Sequence, residues 1–144
     1  MDSSPLTSED EALVEHVRDI NSETFDPEFF DGAHIVAAGV RTTDGTIYDG
    51  VSIPASIGRA SMCGEPVALG SAAADGRHHS EVETCVAVAY PLPHHDTDEQ
   101  RVVPPCGPCR EMLADFDDDL RVIVPIEETL RVVPAIDLLP TRTW

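Results

Sequence analysis

Three of the four cysteines in this chain stand where helices are predicted to begin. Cys106 and Cys109 form a CxxC pair in PPCGPCREML, and Cys63 opens CGEPVALG. The free N–H groups at a helix start stabilise thiolates, and two thiols one turn apart can bind one metal ion. Cys85 differs, because it lies in the apolar run TCVAVAY, which predicts a buried strand and a small core side chain. The three helix-start cysteines are therefore the candidate ligands.

Two sulfurs do not complete a zinc site, and Cys63 is the candidate for the third. Three protein ligands leave one position of a tetrahedral zinc ion open for water, which is the arrangement of a catalytic site, and zinc lowers the pKa of that water towards about 7. Glu65 follows Cys63 by two residues in the same first turn. Its carboxylate is expected beside the metal without binding it, as a general acid and base.

The alternative for these residues is a structural zinc site or plain thiols. A structural site needs a fourth ligand, and no further Cys or His stands at a matching spacing. Four histidines lie in polar loops with acidic neighbours, where solvated side chains are expected. They are His78, His79, His94 and His95. The pattern favours the catalytic arrangement.

The two motifs resemble those of the cytidine deaminase family, including its small blasticidin-S-deaminase-like members. Cys63-Gly64-Glu65 is similar to the family's C-A-E, and the stretch Pro105 to Arg110 is similar to its P-C-G-x-C-R. A ligand-x-Glu followed by P-C-x-x-C is a described signature of zinc deaminases. A DG hairpin ahead of these motifs and Leu138-Leu139-Pro140 near the end also fit. The resemblance runs from about His34 to the end of the chain.

The resemblance implies a hydrolytic deaminase of an aminopyrimidine, with Zn2+ as its cofactor. Water replaces the exocyclic amine of the ring, ammonia leaves, and Glu65 moves the protons. The implied fold is a three-layer α/β/α sandwich with a mixed sheet of about five strands. The implied assembly is a homotetramer whose sites borrow loops from neighbouring subunits.

The positions that bind ribose in true cytidine deaminases are altered in this chain. Those enzymes carry N-x-E just after the second strand, and the matching residues here are Ser52 and Pro54. A proline side chain accepts no hydrogen bond from a sugar, and serine is shorter than asparagine. His34 stands at the first-strand aromatic position, where it could stack on a ring, hydrogen-bond to it or lie at the strand edge. These two positions therefore disfavour recognition of a ribose.

A second departure concerns charge. Many relatives have an Arg after the glutamate, and here Pro66 stands at that position. Three thiolates around one Zn2+ carry a net charge of −1, so compensation must come from the helix N-termini and Arg110. Trp144, the last residue, is similar in place to an aromatic tail that closes the pocket of blasticidin-type relatives, or it is a frayed end.

Three functional hypotheses follow. The first is deamination of cytidine or deoxycytidine to uridine or deoxyuridine. The second is deamination of blasticidin S or another aminated heterocycle without a free ribose, which the loss of N-x-E favours. The third is a non-catalytic zinc scaffold or a thiol redox protein. The candidate substrate contacts are His34, Ser52, Gly64 and Trp144.

The elements that must position these residues alternate along one domain that spans residues 1–144. Helices are predicted in LTSEDEALVEHVRDI, EPVALGSAAAD and CGPCREMLADF. Strands are predicted in HIVAAGVRT and TIYDGVSI, which flank the turn Thr43-Asp44-Gly45, and in VETCVAVAY, LRVIVPI and RVVP. The stretch LPHHDTDEQRVVPP is predicted to be a polar loop. A hairpin followed by alternating helices and strands predicts an α/β fold with a partly antiparallel sheet.

The charge of the chain excludes some partners. There are 27 acidic residues and 9 basic ones, all of them Arg, and the net charge is −18. Such a surface repels nucleic acids and anionic membranes, so a small-molecule substrate is expected. We see no signal peptide or membrane-spanning run and expect a cytoplasmic protein. The Lys-free acidic surface also suggests adaptation to high salt.

Overall fold

The computed structural model describes residues 1–142 of the chain. Along this part, three α-helices alternate with six β-strands. The helices are α1 (Ser8–Thr24), α2 (Gly64–Ala74) and α3 (Gly107–Phe116). The strands are β1 (Val36–Thr42), β2 (Ile47–Val51), β3 (Val82–Ala89), β4 (Arg101–Val103), β5 (Arg121–Ile126) and β6 (Thr129–Pro134). None of these helices is long and apolar enough to span a bilayer.

The strands form one mixed sheet. Its order is β2-β1-β3-β5-β6, and the short β4 also pairs with β3. Only β3 and β5 run parallel among the described strands. The predicted mixed sheet is therefore confirmed, with β4 as a sixth strand. Because β4 has three residues and follows a polar loop, it shows too little alternation to be predicted.

The helices cover both faces of the sheet and give the predicted three layers. Successive strand residues point to opposite faces. On β5, Ile123 packs in the apolar cluster with Leu13 and Val17 of α1. Its neighbour Val122 packs in the other cluster, with Ala68 of α2 and with α3. The buried Cys85 belongs to this second cluster, which confirms its prediction as a core residue.

The first turn of α1 is joined to the sheet by buried charges. Thr7 caps the helix, and its side chain and that of Asp10 each accept a backbone N–H from the other residue. The Asp10 carboxylate is fully buried and also accepts hydrogen bonds from Arg41 on β1 (3.0 Å) and Arg121 on β5 (2.8 and 2.6 Å). Thr84 on β3 accepts a bond from each of the two Arg side chains.

Two glycines bring α2 close to the hairpin. A Cβ atom on Gly50 of β2 would lie 2.3 Å from both Ala68 N and Gly64 O. A Cβ atom on Gly64 would lie 2.9 Å from Ala38 N on β1. Real Cβ atoms do not approach other atoms so closely, so only glycine allows this contact. The start of α2, which carries Cys63 and Glu65, is thereby held against β1 and β2.

Candidate metal centre and its surroundings

The N-termini of α2 and α3 meet at one end of the sheet. Cys63 is the N-cap residue of α2 and Cys106 is that of α3, both with extended backbones. Cys109 is the third residue of α3, so it lies one turn beyond Cys106. All three predicted helix-start positions are confirmed. The unpaired N–H groups of two helix starts favour negative charge at this point.

The three sulfur atoms form a compact cluster. Cys106 Sγ lies 3.5 Å from Cys63 Sγ and 3.3 Å from Cys109 Sγ, and all three atoms lie within 4.8 Å of one another. Tetrahedral zinc with bonds of about 2.3 Å would hold its sulfur ligands about 3.8 Å apart, so the cluster fits such an ion. In residues 1–142 the group contains only these three side chains, and the four loop histidines are not part of it.

Glu65 lies directly beside the sulfur cluster. Its side chain is buried, with 4% of the residue exposed, and its Oε2 lies 3.7 Å from Cys109 Sγ, which donates to it. Burial raises the pKa of the Glu65 carboxyl. Burial also raises the pKa of the Cys109 thiol, and the nearby Glu65 charge raises it further. Several acidic groups packed at one point need a cation before they can all ionise, and this donor set therefore suits Zn2+.

Ser52 lies next to the cluster because of strand register. Ile53 and Met62 form an antiparallel bridge, with hydrogen bonds of 2.8 and 2.9 Å between their backbones. In this register Ser52 stands opposite Cys63. Successive side chains in extended segments alternate between the two faces, so the side chains of Ser52 and Cys63 point away from the face on which Ile53 and Met62 are exposed. The Ser52 Oγ accepts the backbone N–H of Val36 at 3.3 Å.

His34 is buried beside Ser52. Only 5% of the residue is exposed, and its Nδ1 lies 3.3 Å from Ser52 Oγ. The Ser52 hydroxyl therefore has two protein partners. The buried Gly64 is explained by its contacts with β1 and β2 alone, so its role as a substrate contact stays a prediction. Trp144 lies outside the described residues.

Arg110 follows the CxxC motif in α3 but folds back on its own helix start. Its Nε donates to the carbonyl oxygen of Pro105 at 2.8 Å, next to Cys106. Pro66 is the third residue of α2, where the missing N–H costs no helix hydrogen bond. The positive charge nearest in sequence to the thiols thus stands one residue beyond Cys109.

Two arrangements had no signal in the sequence pattern. One is the contact of Asp10 with Arg41 and Arg121, which joins residues as many as 111 positions apart. The other is the stacking of Phe25 on Tyr90, which follow α1 and β3. Both depend on the stacking of α1 on the sheet, and residues so distant in sequence share no local periodicity.

No family model matches the chain. A blasticidin-S deaminase of Bacillus cereus is 34% identical over 137 residues, which cover 95% of this chain and 94% of that protein. A crystal structure of cytidine deaminase from Burkholderia pseudomallei has a TM-score of 0.72 and 26% identity, and it matches 96% of this chain and 100% of its own. The cytidine deaminase from Bacillus anthracis has a TM-score of 0.73 at 21% identity, covering 92% of this chain and 87% of its own, and shows the fold alone.

These findings place the fold and the three-cysteine cluster among the hydrolytic deaminases. The chain belongs to the cytidine deaminase family, in which the blasticidin-S deaminase of Bacillus cereus is a relative along nearly the whole length of both chains. A zinc-dependent deaminase is the class that the fold, the cysteines and this relative jointly support.

Proposed function

We propose that this protein deaminates a cytosine-bearing compound that lacks a free ribose, of the kind that blasticidin S represents. The observation that carries the proposal is the state of Ser52. Its hydroxyl already contacts Val36 N and His34 Nδ1, and the half-buried Pro54 offers no polar side-chain atom. The Ser52 hydroxyl therefore keeps at most one free hydrogen-bonding position, and the side chain at position 54 offers none to a ribose hydroxyl. The relationship to a blasticidin-S deaminase supports the same substrate class.

In this proposal Cys63, Cys106 and Cys109 hold the Zn2+ ion. When bound, the ion supplies a Lewis acid that makes a water molecule acidic enough to attack the ring at neutral pH. Glu65 would carry two protons in turn at its Oε2, the first from the attacking water to the ring nitrogen and the second from the added hydroxyl group to the departing amine. Burial of Glu65 raises its pKa, which helps it to hold each proton between uptake and release.

His34 and Ser52 have the role of shaping the pocket. Their mutual contact fixes the His34 ring just before the start of β1, beside the residue that stands opposite Cys63. A buried imidazole at this place excludes water and presents a flat face or an N–H group to a bound ring. Deamination of cytidine or deoxycytidine is the second candidate, and the fold shared with cytidine deaminases supports it.

The substrate prediction is tested by ammonia release from blasticidin S, cytidine, deoxycytidine and cytosine. We expect kcat/KM for blasticidin S to exceed that for cytidine about tenfold, because a ribose finds at most one hydrogen-bond partner in the side chains at positions 52 and 54. The zinc content of each preparation is measured alongside. Equal turnover of cytidine and blasticidin S would contradict the argument from Ser52. Turnover of none of the four, with one zinc ion per chain, would contradict a cytosine-type substrate.

We propose that the active protein is a cytoplasmic homotetramer. Three apolar residues of the loop beside Cys63 are exposed on the single chain, namely Ile53, Ile57 and Met62. Exposed apolar side chains next to a site support burial by a neighbouring subunit. Four free cysteines support a reducing compartment. Sedimentation velocity should give a mass near four chains, and a monomer would contradict the assembly.

We also propose that the protein is adapted to high salt. Nine Arg residues cannot neutralise 27 carboxylates, so the folded state carries strong self-repulsion in dilute buffer. Raising KCl from about 0.1 M to about 1 M shortens the screening length from about 10 Å to about 3 Å and should raise Tm by several degrees. Sucrose at equal osmolality is the control. A Tm that does not change with KCl would count against the adaptation.

A further inference from the structure

The turn that opens α3 carries a dithiol motif whose composition the proposed reaction does not explain. Cys106 and Cys109 are separated by Gly107 and Pro108, so the motif reads CGPC. A metal site needs the two sulfurs at this spacing but sets no requirement for the residues between them. The helix also lies in the crossover between the parallel strands β3 and β5. A CxxC at the start of such a helix is the motif of dithiol oxidoreductases.

The two cysteines of the motif differ in exposure. Cys106 is the N-cap residue of α3 and is exposed, whereas Cys109 lies one turn further on and is only 2% exposed. A second molecule can therefore reach the sulfur of Cys106 but not that of Cys109. Exchange between a dithiol and a disulfide needs this division, because one thiol attacks the incoming disulfide and the other stays free for the second step.

The two sulfurs are close enough to form a bond after a small side-chain rotation. Cys106 Sγ lies 3.3 Å from Cys109 Sγ. Residues three apart at a helix start have Cα atoms about 5 Å apart, within the range of about 4.4–6.8 Å that a disulfide allows. Cys63 Sγ lies 3.5 Å from Cys106 Sγ, but it belongs to α2, so a bond to it would join two helices that pack separately on the sheet. Cys109 is therefore the preferred partner.

The residues between the cysteines leave the Cys106 sulfur open to a second molecule. A Cβ atom on Gly107 would meet no atom of residues 1–142 within 4 Å, so the surface beside Cys106 is unobstructed. Pro108 has no backbone N–H, and within residues 106–116 the Cys106 side chain accepts no cap hydrogen bond. The side chain can therefore turn without breaking a cap. The fixed φ of Pro108 also reduces the entropy lost when the ring closes.

The charge of the chain selects the kind of disulfide that can approach. A net charge of −18 repels anionic disulfides and leaves neutral ones unaffected. The remaining cysteine, Cys85, is 1% exposed in the apolar core, so it is out of reach of any such molecule. The reactive group of the chain is thus the sulfur cluster alone among the described cysteines.

We propose that the metal-free chain has a second activity, in which the Cys106–Cys109 dithiol reduces small neutral disulfides. This activity does not depend on the proposed deamination. A bound metal ion and a disulfide use the same sulfur electron pairs, so they are alternative states of one centre.

The exchange has two steps for a disulfide RSSR. The Cys106 sulfur, as thiolate, attacks one sulfur of RSSR, which forms a mixed disulfide and releases RS⁻. The Cys109 sulfur then attacks the Cys106 sulfur, which forms the intrachain disulfide and releases the second RS⁻. The protons of the two protein thiols end on the two released thiols. In sum the protein loses two electrons and two protons, and RSSR becomes two RSH.

The test uses the full-length metal-free protein and bis(2-hydroxyethyl) disulfide, a neutral probe. Two molecules of 2-mercaptoethanol should be released per chain. After alkylation with N-ethylmaleimide, peptide mass spectrometry should find Cys106 joined to Cys109, with Cys63 and Cys85 alkylated. A bond between Cys63 and Cys106, or no thiol release, would overturn the proposal. Circular dichroism of the same sample checks the fold, and loss of the helical signal without metal would also overturn it, because α3 must be formed.

Two variants separate the two steps. Cys109→Ser should stop at the mixed disulfide on Cys106 and release one thiol per chain, half the wild-type amount. Cys106→Ser should lower the rate of thiol release at least about tenfold, because the exposed sulfur is lost. The matched control is Cys85→Ala, which removes a cysteine outside the motif and should release two thiols per chain. Release of two thiols by Cys109→Ser would show that Cys63 resolves the mixed disulfide and would overturn the pairing.

A second readout adds Zn2+ to the wild-type protein. With free Zn2+ above about ten times its dissociation constant, fewer than about one chain in ten is metal-free, so the exchange should slow at least about tenfold. Equal rates with and without Zn2+ would overturn the shared use of the sulfurs. Exchange without ammonia release from any cytosine compound would refute the proposed deamination alone. Ammonia release from a chain whose CGPC motif is inert would refute the exchange alone.

Discussion

Replacement of Glu65 by Gln is expected to lower kcat at least about 10²–10⁴-fold while the protein keeps one zinc ion per chain. Gln has the shape of Glu but neither accepts nor returns a proton in the reaction. The residue is buried, and its carboxyl lies beside Cys109 without belonging to the three-sulfur group. The substitution should therefore change proton transfer and not metal binding. Steady-state ammonia release and metal analysis of the same preparation measure the two effects separately.

The matched control for Glu65→Gln is Glu127→Gln, which makes the same chemical change at an exposed turn. We expect its kcat to equal that of the wild type. Thermal unfolding of the Glu65→Gln protein should not show a lower Tm, because burial already disfavours the carboxylate that Gln replaces. If Glu65→Gln kept kcat within a few-fold of wild type, Glu65 would not be the proton carrier. A redox role for Cys106 and Cys109 predicts that unaffected result.

Replacement of Asp10 by Ala should lower the free energy of unfolding by about 3–5 kcal/mol. Asp10 is fully buried, and it separates the guanidinium groups of Arg41 and Arg121. Without it, Arg121 would lose its carboxylate partner and Arg41 would keep only Glu83, at 3.8 Å. Arg41 Nη1 already has no hydrogen-bond partner among the described residues. The change also removes the carboxylate that accepts Thr7 N at the start of α1. Denaturant unfolding in about 1 M KCl measures the loss.

The control for Asp10→Ala is Glu9→Gln, which removes a charge from the same turn at an exposed position. It should change the free energy of unfolding by less than about 1 kcal/mol. Asp10→Asn tests whether charge or shape matters, and we expect it to recover only part of the loss. Equal stability of the Asp10→Ala and Glu9→Gln proteins would show that the buried ion pairs contribute no net stability.

The same cluster gives a pH dependence. Burial alone raises the pKa of Asp10, but hydrogen bonds from Arg121, Thr7 N and Arg41 outweigh it and hold the pKa well below its usual range. The pKa of an unfolded Asp is about 3.9. Because the folded-state pKa of Asp10 is lower, its ionised carboxylate stabilises the folded protein above about pH 4, and this stabilisation is lost as the pH falls through the folded-state pKa. Wild-type stability should therefore fall more steeply below about pH 4 than that of Asp10→Asn. Parallel pH profiles for the two proteins would contradict this assignment.

The three-cysteine cluster and the place of Glu65 beside it could be predicted from the sequence because part of their spacing is local. Cys63 with Glu65, and Cys106 with Cys109, each share one helical turn, so spacing alone brings the members of each pair together. The helix starts, the DG hairpin and the burial of Cys85 follow equally from nearby residues. The strand β4 was missed because it has three residues and depends on β3 for its conformation.

Contacts between distant segments were decided only by the tertiary structure. The bridge of Ile53 with Met62 places Ser52 opposite Cys63, and the start of β1 brings His34 to Ser52. In the same way, the stacking of α1 on the sheet joins Asp10 to Arg121. Such contacts depend on strand register and on which face each helix covers, and many sequences can satisfy the same local pattern with different registers. The sequence by itself thus determined which side chains form the sulfur cluster, whereas packing decided which residues surround it.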